Sequence, residues 1–410
     1  MTGDQLLALG HATMLESHQL ILLGGALGVL SIIAGVISRR IGAPLLLVFL
    51  VLGMLAGEDG VLGIRFGNYA VAYLIGSVAL ALILFEGGLK TPPAMLQSVF
   101  WPAAALATIG VVVTAAITGG AIALLVGVPI AGAMLAGAAA APTDAAAVAV
   151  LLRRSGAVLP ERLSAVLEVE SGLNDPMSIF LTILLTHVIA DPAWISLEHT
   201  VLLFIEEMAG GAVLGLAGGW LLALALRRLP LEPPLAGLLA LTGALALFGV
   251  AQLLGASGFL AVYLAGVVVA AGRYQNREAV EHFSEGMAWL AQIVLFLMLG
   301  LLVTPHNLPP FVLGGIVGAA VLMFVARPVA VFACMLPFRF NVRETAFASW
   351  VGLRGAVPIY LSLLPALADP HRDEAFFASI FVLVVASLVV QGWTIGPAAR
   401  LLGFGGRTVG

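Results

Sequence analysis

Apolar runs of about 20 residues follow one another along almost the whole sequence, separated by short polar turns. A bilayer core about 30 Å thick needs about 20 helical residues to cross it, because an α-helix rises about 1.5 Å per residue. The composition agrees, since 61% of the 410 residues are hydrophobic and only 10% are charged. Such a chain has too few polar residues to cover a soluble surface. The sequence therefore predicts an all-α polytopic membrane protein.

The runs predict about 13 transmembrane helices. Their approximate bounds are 19–38, 43–57, 69–89, 99–126, 129–152, 160–189, 199–226, 234–254, 257–272, 285–304, 309–335, 343–366 and 375–403. The loops between the runs are too short to hold a folded extramembrane domain. We therefore expect a single transmembrane domain over residues 1–410.

The basic residues fall unevenly on the two sides of this layout. With the N-terminus outside, most of the 18 lysines and arginines lie on inner loops, among them Arg39, Arg40 and Arg407, whereas the outer loops carry Arg65 and Arg372. Cytoplasmic loops are enriched in lysine and arginine. The pattern predicts an outside N-terminus and a cytoplasmic C-terminus.

Several classes of chemistry lack support in the sequence. The single cysteine, Cys334, excludes a disulfide framework and a cysteine-based metal site. No Walker motif, dinucleotide-binding glycine loop or HExxH motif is present, and no basic tract favours nucleic acid. We expect no cofactor, no nucleic-acid partner and a transporter rather than an enzyme.

Two runs are interrupted in the middle by residues that break helices. The fifth contains Pro142, and the twelfth contains Gly352, Gly355 and Pro358. Because these runs lie seven apart, they enter the bilayer from opposite sides, and paired broken helices of this kind mark the binding sites of many secondary transporters. We predict two inverted six-helix repeats, roughly 19–189 and 234–403, with broken helices 5 and 12.

The sixth run carries acidic residues at membrane depth. A charged side chain there costs at least about 2.5 to 3.5 kcal/mol. Asp175 is the predicted exchanging residue, with the hydroxyl of Ser171 one turn before it. A buried carboxylate binds a proton readily, whereas a dehydrated cation beside it favours the ionised form, so the two compete for the same oxygens. A carboxylate that is merely hydrogen-bonded to a neighbouring helix remains the alternative.

The residues after the break at Pro142 add oxygen donors. Thr143 is predicted to cap the second half-helix through its hydroxyl, while its carbonyl, freed by the interruption, suits an alkali cation. Asp144 faces a helix N-terminus, where the helix dipole favours negative charge. Balancing that dipole and coordinating the cation directly are both open roles for Asp144.

Arg354, in the second broken run, is the counterpart of Asp144. Its guanidinium is suited to neutralising the carbonyl end of a half-helix or to holding a carboxylate bidentately. Glu170 is the predicted partner, because it lies on the side of its helix away from Asp175. Glu86, near the inner end of the third run, either closes the ion path or is an interfacial charge.

Together these motifs resemble the NhaP-type monovalent cation:proton antiporters, and most closely the cell volume regulation protein A branch of potassium/proton antiporters. The segments that carry the resemblance are Pro142-Thr143-Asp144, Glu170-Ser171-Gly172-Leu173-Asn174-Asp175-Pro176, Trp289-Leu290-Ala291-Gln292, Leu299-Gly300-Leu301-Leu302-Val303, Trp350-Val351-Gly352 and Gly352-Leu353-Arg354-Gly355-Ala356-Val357-Pro358. The resemblance implies a homodimer of thirteen-helix protomers in a bacterial cytoplasmic membrane, with a mobile six-helix core that moves in an elevator-like step. It also implies roles in pH homeostasis and cell volume regulation.

The resemblance implies roles for individual residues as well. Asp175 is similar to the ion- and proton-binding acid of the family, and the residues that complete or approach its shell are Ser171, the Thr143 backbone, Asp144 and Glu86. Asn174 resembles the partner that distinguishes electroneutral members, and Glu170 with Arg354 resembles a structural ion pair. Close relatives often have aspartate where Glu86 stands. Longer members continue into a cytoplasmic regulatory domain, which we do not expect in this chain.

The sequence thus leads to one functional hypothesis and one alternative. We expect electroneutral exchange of K⁺ and/or Na⁺ for H⁺, with an alkali cation at Asp175, Ser171 and Thr143 as the one metal involved. A single titrating carboxylate beside the neutral Asn174 exchanges one proton for one cation. The alternative is a cation channel or pore, which passes current without moving protons.

Overall fold

The structure is a computed structural model that describes residues 21–38, 44–191, 196–368 and 373–405, together with His18. Within these ranges the backbone is helical without strands, apart from one isolated β-bridge between Ala157 and Gly405. The predicted all-α class is therefore confirmed. The basic residues Arg39, Arg40, Arg372 and Arg407, on which part of the orientation prediction rests, lie outside the described residues.

The described helices are numbered here in chain order. They are α1 (Ile21–Ser38), α2 (Leu45–Ala56), α3 (Tyr69–Lys90), α4 (Pro93–Val126), α5 (Ile130–Ala139), α6 (Ala145–Ser155), α7 (Glu161–Ala190), α8 (Leu197–Arg228), α9 (Pro233–Leu253), α10 (Gly258–Ala271), α11 (Arg277–Leu301), α12 (Pro309–Phe338), α13 (Val342–Trp350), α14 (Ala356–Leu361), α15 (Leu363–Ala368) and α16 (Asp373–Leu401).

Nine helices within the described ranges are long and apolar enough to cross a membrane. They are α1, α3, α4, α7, α8, α9, α11, α12 and α16. Shorter apolar helices stand beside them, namely α2, α5, α10 and the α14–α15 segment. The membrane class is confirmed, whereas the count of about 13 crossings stays a prediction.

The helices pack in two groups. In the first, α10 packs against α3 and α8, and α11 packs against α2 and α3. In the second, α4 packs against α5 and α7, while α12 and the short helix α14 pack against α16. Glycines allow the closest crossings of the first group, since a Cβ on Gly88 of α3 would lie 3.0 Å from Cα of Gly266 in α10. We call the first group the scaffold and the second the core.

Two long core helices contain a π-helical turn, at residues 106–110 of α4 and 322–326 of α12. A π turn inserts an extra residue into the helix and occurs frequently at functional sites. The turn in α12 comes directly before Arg327. In the predicted layout α4 and α12 correspond to the fourth and eleventh runs. These two runs lie seven apart, as the two broken runs do.

Both runs that the sequence marks as broken are interrupted in the structure. The first break separates α5 from α6 at residues 140–144, and the second separates α13 from α14 at residues 351–355. The two breaks touch, because the backbone N–H of Asp144 donates to the carbonyl of Leu353 at 2.8 Å. Backbone groups that a continuous helix would satisfy internally are thus free to bind other partners.

Candidate cation-binding site

A cavity of about 310 Å³ opens beside α7, where the two breaks meet. Of the predicted site residues, five line it: Asp175, Ser171, Thr143, Asp144 and Glu86. The other three predicted residues, Glu170, Asn174 and Arg354, are not part of its wall. The structure therefore brings the predicted oxygen donors together and sets the predicted supporting residues around them.

Asp175 is the buried carboxylate of this cavity. Its side chain is 7% exposed, and Oδ1 has no hydrogen-bond partner among the described residues. An unpaired polar atom at this depth is costly unless something binds it. Asp175 itself lines the cavity, so this carboxylate stands beside a space that a ligand can enter.

Thr143 is held at both of its polar atoms by side chains of α7. Ser171 Oγ donates to the Thr143 carbonyl at 2.7 Å, and Asn174 Nδ2 donates to Thr143 Oγ1 at 2.7 Å. The N–H of Ala145 in turn donates to Ser171 Oγ at 3.2 Å. The first break and α7 are therefore joined into one hydrogen-bonded unit.

The predicted cap of α6 is wrong by one residue. Asp144, not Thr143, is the N-cap, and its Oδ1 accepts from the N–H of Ala147 at 2.8 Å. The physical reason is spacing, because an N-cap side chain reaches the N–H three residues on, and α6 begins at Ala145. Asp144 thus balances the helix N-terminus, which is one of its two predicted roles. It also lines the cavity, so coordination stays open.

Arg354 neutralises a helix end. Its side chain is 1% exposed, and Nη1 donates to the carbonyls of Ala141 and Pro142, at 2.9 Å in the second case. These carbonyls follow the C-terminus of α5, where a cation is favourable to the helix dipole. This is the first of the two roles that the sequence allowed for Arg354.

Glu170 pairs with Arg327 and not with Arg354, which corrects the predicted ion pair. Arg327 Nη1 lies 2.5 Å from Glu170 Oε1, and Nη2 lies 2.9 Å from Oε2. The reason is that Arg354 is engaged by the carbonyls of the first break, whereas Arg327 reaches α7 from the end of the π turn in α12. Sequence reasoning missed the pairing, although Arg327 shares with Arg354 a position inside a predicted membrane run.

Glu86 stands nearer the mouth of the cavity. It forms an ion pair with Lys90 one turn along α3, and Lys90 also lies 3.3 Å from Glu285 of α11. The Lys90 and Glu285 side chains are 53% and 47% exposed, so this end of the cavity is open. Glu86 therefore lines the cavity beside an exposed lysine and is already paired with that lysine.

The donors on this wall suit an alkali cation. Carboxylate, hydroxyl and carbonyl oxygens are hard ligands that replace water around such ions. Within the described residues, no group of three or more histidine, cysteine, aspartate and glutamate side chains is placed to hold a metal ion.

An unpaired carboxylate at the meeting point of two broken membrane helices, in a cavity open at one end, defines a secondary transporter for ions. The family model described as "Sodium/hydrogen exchanger, transmembrane" matches residues 28–401. The chain therefore belongs to the sodium/hydrogen exchanger family, a family of secondary transporters and not of enzymes. The predicted family resemblance is confirmed.

Named relatives agree with this family. The K(+)/H(+) antiporter NhaP of Alkalimonas amylolytica is 46% identical over 383 residues, and the K(+)/H(+) antiporter NhaP2 of Shewanella oneidensis is 42% identical over 382 residues. Each alignment covers 93% of this chain and 66% of the relative, so the chain spans about two thirds of their length.

The fold has a solved counterpart. The structure of the sodium proton antiporter MjNhaP1 from Methanocaldococcus jannaschii superposes with a TM-score of 0.80 at 22% identity, over 94% of this chain and 99% of that chain. At this identity the likeness establishes the fold.

Proposed function

We propose that this chain exchanges a monovalent cation, K⁺ and/or Na⁺, for H⁺ without net charge movement. Cation and proton compete for the carboxylate of Asp175. The observation that carries the proposal is Asp175, a residue of the cavity wall whose buried Oδ1 has no hydrogen-bond partner among the described residues. Relatives named K(+)/H(+) antiporters favour K⁺ as the cation.

The exchange follows from two states of one carboxyl group. Protonated Asp175 is neutral and needs no cation. Ionised Asp175 binds a dehydrated cation, to which the Ser171 hydroxyl oxygen and the Thr143 carbonyl are the nearest candidates for further ligands because both line the same wall. Asn174 is neutral, so the pair Asn174–Asp175 exchanges one proton for one positive charge, which makes the cycle electroneutral.

The assembly that we propose around this site has about 13 crossings in two inverted six-helix repeats. Its support is the recurrence of features seven runs apart: a π turn in α4 and in α12, and a break after α5 and after α13. The family resemblance adds a homodimer in a bacterial cytoplasmic membrane, with the N-terminus outside, the C-terminus in the cytoplasm, and a part in pH homeostasis and cell volume regulation.

The test is dissipation of a pH gradient in acid-loaded proteoliposomes to which K⁺, Na⁺ or Li⁺ is added in turn. The membrane voltage is held near zero and then released. We expect at least one cation to collapse the gradient at a rate insensitive to voltage, and Asp175→Asn to abolish the effect. The matched control is Glu278→Gln, which removes an exposed carboxylate at the start of α11 and should exchange as the wild type does.

Two outcomes would overturn the proposal. Exchange retained in Asp175→Asn would show that another group carries the proton. Cation current without proton movement would make the protein a channel, which is the alternative that the sequence left open.

A further inference from the structure

The cavity has a closed end as well as an open one. On three helices its wall stops at Leu80 of α3, Pro358 of α14 and Tyr263 of α10. Beyond these points, away from the Lys90 opening, each helix carries a buried residue that does not line the cavity. These three residues, which we call the seal, are Ser77, Tyr360 and Phe259.

Tyr360 is the centre of the seal. It is 1% exposed, and its Oη lies 2.8 Å from Ser77 Oγ. The Ser77 hydroxyl has one proton, and it donates that proton to the carbonyl of Tyr73 at 2.7 Å. Tyr360 must therefore be the donor to Ser77.

The scaffold is shaped to receive the Tyr360 ring. The ring stacks on Tyr73 with centroids 5.5 Å apart and meets Phe259 edge-on at 6.3 Å. Gly76 leaves space for it, since a Cβ at that position would lie 2.5 and 2.8 Å from two ring carbons. One aromatic side chain of the core thus fills a socket formed by two scaffold helices, α3 and α10.

The socket joins the two groups of helices beside the site. Tyr360 lies on α14, the half-helix that begins directly after the second break and that also lines the cavity through Val357 and Pro358. Any movement of the core relative to the scaffold that exposes Asp175 to the other side must withdraw this ring. The hydrogen bond to Ser77 is one polar contact that such a withdrawal breaks.

We propose that Tyr360 is a positioning residue whose hydrogen bond to Ser77 latches the seal and keeps the cavity closed at the end away from Lys90. This inference rests on the proposed exchange, because alternating access requires the seal to open once in each cycle. A net hydrogen bond of this kind changes an equilibrium by about threefold to tenfold. Removing it therefore raises the population of the open seal by that factor and leaves the aromatic packing in place.

The test measures how fast a cysteine inside the cavity reacts with a membrane-impermeant thiol reagent applied from each side. The reporter is Val357→Cys, which is half-buried on the cavity wall, in a Cys334→Ser background. Inverted vesicles present one face of the protein and intact cells present the other. We expect rapid labelling from the Lys90 side and slow labelling from the far side, because the seal blocks that route.

The reporter is then combined with Tyr360→Phe, with Ser77→Ala and with both. Each single change should raise the far-side labelling rate about threefold to tenfold, and the double change should add nothing further, because both remove one hydrogen bond. The matched control is Thr242→Ala, which removes an exposed hydroxyl that bonds within its own helix. It should leave the rate unchanged.

An unchanged far-side rate in both single variants would overturn the latch, and so would effects of the two variants that simply multiply. The proposed function fails separately. If the wild-type protein moved no cation while the Tyr360→Phe and Ser77→Ala variants still showed faster far-side labelling, the latch would stand and the exchange would fail. If the wild-type protein exchanged normally while the two variants left the far-side labelling rate unchanged, the exchange would stand and the latch would fail.

Discussion

Asn174 donates a hydrogen bond of 2.7 Å from its Nδ2 to Oγ1 of Thr143. The contact joins α7, the helix that carries Asp175, to the break between α5 and α6. Ser171, one turn before Asp175, donates to the carbonyl of the same threonine. Two side chains of α7 therefore fix a carbonyl oxygen on the wall of the cavity that holds Asp175.

Thr143→Val should weaken cation binding more than turnover. The substitution leaves Asn174 Nδ2 buried without its acceptor and loosens the position of the Thr143 carbonyl. We expect KM for the transported cation to rise about threefold to tenfold, as for the loss of one buried hydrogen bond, with a smaller change in kcat. The measurement is the cation dependence of pH-gradient dissipation in proteoliposomes. Thr143→Ser keeps the hydroxyl and should remain close to wild type, so equal KM values in the two variants would contradict the role of this bond.

Arg327→Gln should destabilise the protein strongly. It leaves the Glu170 carboxylate, 1% exposed, without a counter-charge, and breaking a buried pair on one side costs about 3–5 kcal/mol. Thermal unfolding in detergent should show a clear fall in Tm. The double variant Glu170→Gln/Arg327→Gln should recover part of the loss, because no isolated charge remains.

A second double-mutant cycle distinguishes the role of Arg354 from that of Arg327. Combining Glu170→Gln with Arg354→Gln should give nearly additive effects, since Arg354 donates to the carbonyls of Ala141 and Pro142 and not to Glu170. Stronger coupling of Glu170 to Arg354 than to Arg327 would contradict the pairing in the structure.

The sequence predicts the parts of this fold that depend on local pattern. Apolar runs give the helices because backbone groups in lipid must be satisfied within the segment. Pro142 and the glycines around Arg354 give the breaks because they interrupt helical hydrogen bonding. Asp175 and Ser171 fall on one cavity wall because residues four apart share a helix face.

The partner of Glu170 could not be predicted in the same way. Which arginine reaches α7 depends on the π turn at 322–326, which changes the direction of Arg327, and no composition signal marks that turn. The cap of α6 was missed for a smaller reason. Thr143 and Asp144 are both good cap residues, and the choice depends on whether the helix begins at Asp144 or at Ala145.

Gly355→Ala should disturb the meeting point of the two breaks. A Cβ on Gly355 would lie 2.9 Å from Cβ and 3.0 Å from Cγ of Asp144, so one break has to move away from the other. We expect a stability loss of about 1–3 kcal/mol and reduced exchange, measured as Tm and as the rate of pH-gradient dissipation. The control is Gly249→Ala in α9, where an added Cβ meets nothing within 4 Å, so Tm should stay level or rise slightly. Equal effects of the two substitutions would show that the contact between the breaks is unimportant.

Asp59 and His306 should make stability depend on pH below about 4. Asp59, in the turn after α2, accepts from the backbone N–H of His306 at 2.8 Å and from the ring Nδ1 at 2.8 Å, which joins it to the connection between α11 and α12. The backbone hydrogen bond first, and then the ring, hold the pKa of Asp59 below its usual value of 3.8. Because the folded pKa is lowered, the contribution of Asp59 to stability is complete above pH 3.8 and is lost as the pH falls through the lowered pKa.

Thermal unfolding between about pH 6 and pH 3 should therefore show a smaller acid-induced fall in Tm for Asp59→Asn than for wild type. His306→Ala retains the backbone donor and should keep most of the wild-type slope, so a slope as flat as that of Asp59→Asn would show that the ring, and not the backbone N–H, lowers the pKa.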